Sequence, residues 1–240
     1  MGDYTRMSAY YDLIMTSGYY DYDAIVGELA RSTDVRTVVE VGAGTGLILE
    51  RLVARRPDLN LAGIDLTQAM LDIAVERLAP YPQVSLHRQD VVTLSLHRRF
   101  DLAFSYGGVW YFVPDDDAFT MISHIRDEQA NAEGLRRLAE HVDTGGQLML
   151  GVQARHRDYT SPVAGGLVYS QQITPIEAGF RKRYRLTDPA SDQARPLMEQ
   201  TTDYRIYCFD DALELLDKAG FTFREQCGPD TPLFLGFDRR

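Results

Sequence analysis

Short apolar runs and amphipathic stretches alternate along the first two thirds of this chain. Residues 22–31 place Ile25, Val26, Leu29 and Ala30 on one helical face. Thr37 to Val41 reads as a strand, Thr45 to Arg55 as its helix, and Asn60 to Asp65 as a second strand. A helix over Thr67 to Leu78 carries Met70, Leu71, Ala74 and Leu78 on its apolar stripe, with Thr67 as N-cap. Val84 to Gln89 and Phe100 to Ser105 read as strands three and four. Asp115 or Asp116 is placed to cap a helix carrying Phe119, Met121, Ile122 and Ile125. Leu135 to Val142 reads as helix, ended by Thr144-Gly145-Gly146, and Gln147 to Val152 as strand five. This alternation predicts an α/β fold with a doubly wound, mostly parallel sheet.

The pattern changes after residue 155. Residues 165–174, 178–187 and 196–207 read as strands rich in Tyr, Val, Ile, Thr and Gln, punctuated by Pro and Gly. Asp210 to Ala219 is a further helix, stopped by Gly220. Phe221 to Gln226 and Leu233 to Phe237 form a hairpin-like pair around Gly228-Pro229. The other end of the chain is aromatic: residues 1–22 hold six of the 14 tyrosines, Tyr4, Tyr10, Tyr11, Tyr19, Tyr20 and Tyr22.

Bulk properties narrow the function classes. A length of 240 residues suits one larger domain, or one with an elaboration. A formal net charge of −10 disfavours nonspecific binding to nucleic-acid phosphates. Two cysteines, Cys208 and Cys227, stand in no metal-like spacing, so a reduced, cytoplasmic protein is expected. No segment approaches the ~20 apolar residues of a membrane span, and the N-terminus has no basic-then-apolar signal pattern. Asp115-Asp116-Asp117 reads as a helix start after Pro114, with acids at the positive end of the dipole. No metal is expected.

The strongest chemical signal is Val38-Val39-Glu40-Val41-Gly42-Ala43-Gly44-Thr45-Gly46-Leu47. An apolar run ends in an acid, and three glycines then alternate with small residues before a helical pattern. A backbone that turns tightly under a nucleoside needs this. The spacing is G-x-G-x-G, not G-x-G-x-x-G, because position 47 is Leu. Glu40 to Gly46 resembles the first motif of the class I S-adenosylmethionine-dependent methyltransferases. That resemblance implies a Rossmann-like, seven-stranded sheet, N-terminal lid helices, S-adenosylmethionine as cofactor and S-adenosylhomocysteine as product.

On this resemblance Glu40 faces the methionine part of the cofactor, and Gly42, Ala43, Gly44 and Gly46 form the turn beneath it. Asp65 lies 19 residues after Gly46, the separation of an acid that takes the ribose hydroxyls. Leu66 and Met70 pack on the adenine, while Asp90 and Val91, after strand three, bind its amino group. Ser105, at the end of strand four, completes the set. The implied organisation is a lid (1–36), a cofactor-binding core (37–154), an inserted antiparallel β segment (155–207) acting as substrate cap or dimerisation element, and the end of the core sheet (208–240).

A narrower resemblance covers both termini. Ser8-Ala9-Tyr10-Tyr11-Asp12-Leu13-Ile14 and Tyr204-Arg205-Ile206-Tyr207-Cys208-Phe209 resemble segments of antibiotic sugar N,N-dimethyltransferases and related small-molecule N-methyltransferases. That subfamily typically has a Gly-His pair after strand four. Here the aligned place reads Trp110-Tyr111, a departure that removes the histidine, and residues 113–133 run longer than usual.

For the reacting end, Tyr11 and then Tyr19 are lid candidates to cover a sulfonium and orient an acceptor. Tyr111 stands where the histidine would act, and His156 is the best-placed base. His87, His97, His124 and His141 read as structural or surface residues. Tyr106, Trp110 and Tyr111 are expected against the acceptor. Arg181 and Arg183, which share a strand face with Arg185, would suit a phosphorylated or carboxylated acceptor.

The function expected is methyl transfer to a nitrogen of a small molecule, in specialised metabolism of the antibiotic type, with a homodimer possible. O-methylation of a hydroxyl or carboxylate is the second enzyme reading. A fold relative that binds the cofactor without transferring methyl is the third. Ser105-Tyr106-Gly107-Gly108 stands where nucleic-acid enzymes carry N-P-P-Y.

Overall fold

A computed structural model describes residues 4–116, 118–191, 195–228 and 232–240. The chain orders as α1 (Ser8–Met15), α2 (Tyr22–Leu29), β1 (Thr37–Val41), α3 (Leu47–Arg55), β2 (Asn60–Asp65), α4 (Gln68–Leu78), β3 (Val84–Arg88), β4 (Phe100–Ser105), β5 (Trp110–Asp115) and β6 (Ala118–Ser123). It continues as α5 (Glu128–Glu140), β7 (Val142–Gly151), β8 (Tyr159–Pro162), β9 (Val168–Ile176), β10 (Gly179–Thr187), β11 (Met198–Tyr207), α6 (Phe209–Lys218), β12 (Phe221–Cys227) and β13 (Phe234–Arg239). The hairpin residue Pro229 lies outside the described residues, as does Asp117.

Two sheets share the work. The first has seven strands in the order β12-β13-β7-β4-β1-β2-β3. β7, β4, β1, β2 and β3 run parallel, and β13 and β12 close the edge antiparallel. Apolar residues cover both of its faces, as a parallel sheet requires. Leu135, Leu138 and Ala139 of α5 and Leu216 of α6 pack on one face, while Ile25 and Leu29 of α2 and Leu49 and Leu52 of α3 pack on the other. This is the Rossmann-like core expected from the alternating pattern. Thr67 takes the N-cap position of α4, but its side chain makes no capping hydrogen bond.

The second sheet has six strands, β5-β6-β11-β10-β9-β8, all antiparallel. It is larger than the inserted segment read from sequence, and it corrects one expectation. Among the described residues, 110–116 and 118–123 form no helix. They make the β5–β6 hairpin, turning through Asp116 at φ 49°, with β6 paired to β11. Phe112, Met121 and Ile122 are buried there, and their apolar spacing fits strand as well as helix over so short a run. The following helix, α5, starts earlier than its apolar stripe suggested, because Asp127 caps it by accepting a 2.7 Å hydrogen bond from the Ala130 N–H.

One buried residue locks the hairpin to α5. Asn131 accepts from Trp110 Nε1 (2.8 Å) and Ser123 Oγ (2.6 Å), and donates to the carbonyls of Ile125 and Asp127, each at 2.8 Å. Asn131→Ala would strand several buried polar groups at once. We expect a loss of about 3 kcal/mol, which for a chain of this length is about 6–12 °C in melting temperature. A thermal melt within about 2 °C of the parent would contradict this.

Candidate active site

The strand order reverses between β1 and β4, and the carboxyl ends of β1, β2 and β4 meet there. Open α/β sheets place ligands at such a point. A cavity of about 870 Å³, mouth included, opens above it. Its floor is Val41, Gly42, Gly44 and Asp65, its roof is built by N-terminal tyrosines, and its far wall comes from the second sheet.

The glycine turn is held from β2: the N–H groups of Gly42 and Ala43 both donate to the Ile64 carbonyl, at 2.9 and 3.0 Å. A Cβ on Gly42 would lie 2.7 Å from Gly108 Cα, so two backbones touch where the cavity floor meets the loop after β4. The Asp65 carboxylate is fixed by two backbone donors, Gly44 N on Oδ2 and Thr67 N on Oδ1, both at 2.8 Å. Burial raises its pKa and these bonds oppose the rise. Glu40 is buried behind the turn. Burial, and then the nearby Asp65 charge, push its pKa well above the ordinary carboxylate value. Its Oε2 has no hydrogen-bond partner among the described residues. An orphaned buried carboxylate oxygen is costly unless a ligand donates to it.

The N-terminal segment is fastened over this floor. Asp12 of α1 pairs with Arg77 of α4 and accepts a 2.6 Å bond from Thr45 Oγ1, while Arg77 Nε donates to the Thr45 carbonyl at 2.9 Å. The fastening sets the Tyr11 ring above Gly44, 3.8 Å from where a Cβ would stand. Tyr19 and Tyr20 meet edge to face, with centroids 4.8 Å apart, further along the roof.

Ten of the expected site residues line this cavity: Tyr11, Tyr19, Gly42, Gly44, Asp65, Leu66, Met70, Val91, Tyr111 and His156. Others do not. Glu40 sits behind the floor. Ala43 belongs to the core, and Gly46 faces α4, where a Cβ would meet Leu78 Cδ1 at 2.9 Å. Asp90 caps a short turn by accepting from Val92 N, and its neighbour Gln89 lines the cavity in its place. Ser105 is buried, donating to the Val41 carbonyl at 2.9 Å. Tyr106 packs between Tyr20 and Phe234. Trp110 is a core residue held by Asn131. Arg181 and Arg183 lie on the outer face of β10, paired with Asp203 and Glu199. Tyr106, Trp110, Arg181 and Arg183, read from sequence as acceptor contacts, are thus not among the residues lining the cavity.

Sequence reasoning missed two of the wall's polar groups. His124, read as structural, lines the cavity just beyond the β5–β6 hairpin, its ring 4.6 Å from that of Tyr204. A histidine from just beyond β6 therefore lines this cavity. Lys182 is the other; it is 1% exposed, and its Nζ donates to Tyr19 Oη at 3.0 Å. The signal was present in the strand alternation: Arg181 and Arg183 facing out require Lys182 to face in.

His156 Nε2 lies 2.7 Å from the Tyr111 hydroxyl. Burial, and then the nearby Lys182 charge, lower both His124 and His156 to about 3. Both rings are thus neutral when folded and charge on unfolding below their ordinary value. Their stabilisation is complete above about pH 6.5 and declines as pH falls toward 3. Between pH 7.5 and 5.5 each should cost about 1 kcal/mol. Glu40, raised, acts with the opposite sign. The effect is therefore read as the difference in urea stability slope between the parent and the His124→Gln/His156→Gln variant. Parallel slopes would contradict it.

Comparison with known proteins gives consistent results. Residues 38–146 match a family model described as a methyltransferase domain. Malonyl-[acyl-carrier protein] O-methyltransferase 1 of Ilyobacter polytropus is 27% identical over 88 residues, 37% of this chain and 32% of that protein. The match thus spans about a third of that curated relative. Among solved structures, the sugar N-methyltransferase KedS8 from Streptoalloteichus sp. ATCC 53650 is similar at TM-score 0.72 and 23% identity, over 96% of this chain and 92% of that one. CalS10, an amino pentose methyltransferase from Micromonospora echinaspora, is similar at TM-score 0.73 and 19% identity, over 96% of each chain. Among the described residues no helix is long and apolar enough to cross a membrane.

Proposed function

We infer the function from the family: residues 38–146 are a class I S-adenosylmethionine-dependent methyltransferase domain. The reading best supported for the whole chain is methyl transfer to a nitrogen of a small molecule, of the kind found in specialised metabolism. One observation carries it. A glycine turn, a fixed Asp65 and an orphaned Glu40 oxygen stand beneath a roof of tyrosines, and that donor set fits a cationic nucleoside.

S-adenosylmethionine, when bound, supplies a methyl group on a sulfonium, ready for in-line displacement. The chain's own residues do the rest. Asp65 would take the ribose hydroxyls, and Glu40 the amino group of the methionyl end. Leu66 and Met70 would pack on the adenine, with Gln89 and Val91 at its edge. Tyr11 and Tyr19 would present aromatic faces to positive charge and keep water from the reacting centre. Residues 1–36 serve as a lid, and the second sheet caps the acceptor. Positioning of this kind supplies most of the acceleration such a displacement needs.

Nitrogen is favoured over a hydroxyl by the state of the wall. His124 and His156, held near 3, are poor bases for ionising an alcohol, whereas an ammonium gives up its proton far more readily than an alcohol does. The test is release of S-adenosylhomocysteine with a panel of amines, amino sugars among them, each run beside its hydroxyl and carboxylate counterparts. Turnover confined to amines supports this reading, and turnover confined to the oxygen compounds overturns it.

A further inference from the structure

The chain has two lysines, Lys182 and Lys218, among 25 basic residues. Lys218 is exposed and paired with Glu214. Lys182 is sealed in the cavity wall and forms no ion pair among the described residues. A basic residue buried without a carboxylate is expensive to keep. Every exposed site on the same strand uses arginine, which cannot give up its proton. A lysine here has an option that arginine lacks.

Around Lys182 the wall is aromatic. Its Nζ donates to Tyr19 Oη at 3.0 Å and lies 4.8 Å from the centre of the Tyr184 ring and 5.7 Å from that of Tyr19. His124 and His156 stand on the same wall, both neutral, and Tyr4, Tyr111, Tyr169 and Tyr204 are further ionisable groups nearby. Asp65 is the one acid among the lining residues, and it is already held by two backbone donors. The amine thus faces the space above the cofactor floor with no anion to hold its proton.

We propose that Lys182 is the catalytic base that takes the proton from the acceptor's ammonium group before methyl transfer. The proposal rests on the methyl-transfer reading above. An acceptor N–H bond breaks and its proton passes to Lys182 Nζ. The freed lone pair attacks the methyl carbon, and the S–C electron pair returns to sulfur, leaving a methylated ammonium and a neutral thioether. The new charge on Nζ is received by the Tyr19 hydroxyl and the faces of Tyr19 and Tyr184. The histidines serve this step poorly, since a useful base titrates near the working pH. Burial brings Lys182 down to about 7.

Two lysines make the test clean. Protein carrying [ε-13C]lysine gives two ε-methylene signals, and the Lys182→Arg variant identifies which belongs to Lys182. With S-adenosylhomocysteine present, Lys182 should titrate near neutrality and Lys218 above its ordinary value, where its pairing with Glu214 holds it. A Lys182 midpoint above about 9, nearer the ordinary lysine value, would overturn the proposal. The second readout is a pH–rate profile for Lys182→Met, using the amine turned over fastest in the panel above. A rate about 100-fold below the parent at pH 7, recovering toward pH 10 where the amine sheds its own proton, supports the base role. An equal loss at every pH, with S-adenosylmethionine binding intact, would assign Lys182 to structure and overturn it. Failure of the parent to bind S-adenosylmethionine would instead strike the function reading, and the lysine titration would still be decided on its own.

Discussion

Asp65→Ala should bind S-adenosylmethionine about 100- to 1,000-fold more weakly than the parent, a loss of about 3–4 kcal/mol. Two effects combine. The carboxylate is the natural acceptor for two ribose hydroxyls, and each hydrogen bond to a charged group is worth about 1.5–3 kcal/mol. The same carboxylate also orders the floor, through Gly44 N and Thr67 N at 2.8 Å. Calorimetric titration reads the affinity, and a thermal melt reads the ordering. Asp65→Asn keeps one acceptor oxygen and should fall between the two. A ten-fold or smaller loss in Asp65→Ala would mean that the ribose lies elsewhere.

The second large effect is expected at Gly42. Its φ is 82°, and a Cβ there would stand 2.7 Å from Gly108 Cα and 3.3 Å from Val109 N. Neither neighbour is a side-chain end that can swing away. An alanine pays about 1–2 kcal/mol for the left-handed conformation, and overpacking adds about 1–3 kcal/mol. Gly42→Ala should therefore melt about 5–15 °C lower and lose detectable cofactor binding. Gly44→Ala is the matched control. Its φ is 55°, but the nearest contact is the Tyr11 ring at 3.8 Å, so only the conformational cost applies. Equal effects in the two variants would show that the backbone contact between Gly42 and Gly108 is unimportant.

The fold was legible where period and punctuation agreed. β1, β2 and β4 fall where the apolar runs placed them, since buried parallel strands read as short continuous apolar stretches bounded by turns. The hairpin of 110–123 was not, because Phe119, Met121 and Ile122 suit either period and the Asp-rich turn imitates a helix cap. The chain returns through β6 and brings His124, read from sequence as structural or surface, to the cavity wall.

The cofactor floor was the readable part of the site, because glycines and acids at strand ends are demanded by local backbone geometry. The opposite wall was not, since it depends on which face of β10 turns inward. The three arginines drew attention to the outer face, where each meets an acid across the strand or beside it. Lys182, between two of them, has its meaning only once tertiary packing buries it.

The most direct measurement is a crystal structure of the protein with S-adenosylhomocysteine. The account predicts both ribose hydroxyls on the Asp65 carboxylate, the methionyl amino group within hydrogen-bond distance of Glu40 Oε2, and the thioether sulfur beneath Tyr11. A nucleoside bound away from the glycine turn, or a Glu40 oxygen still without a partner, would contradict it.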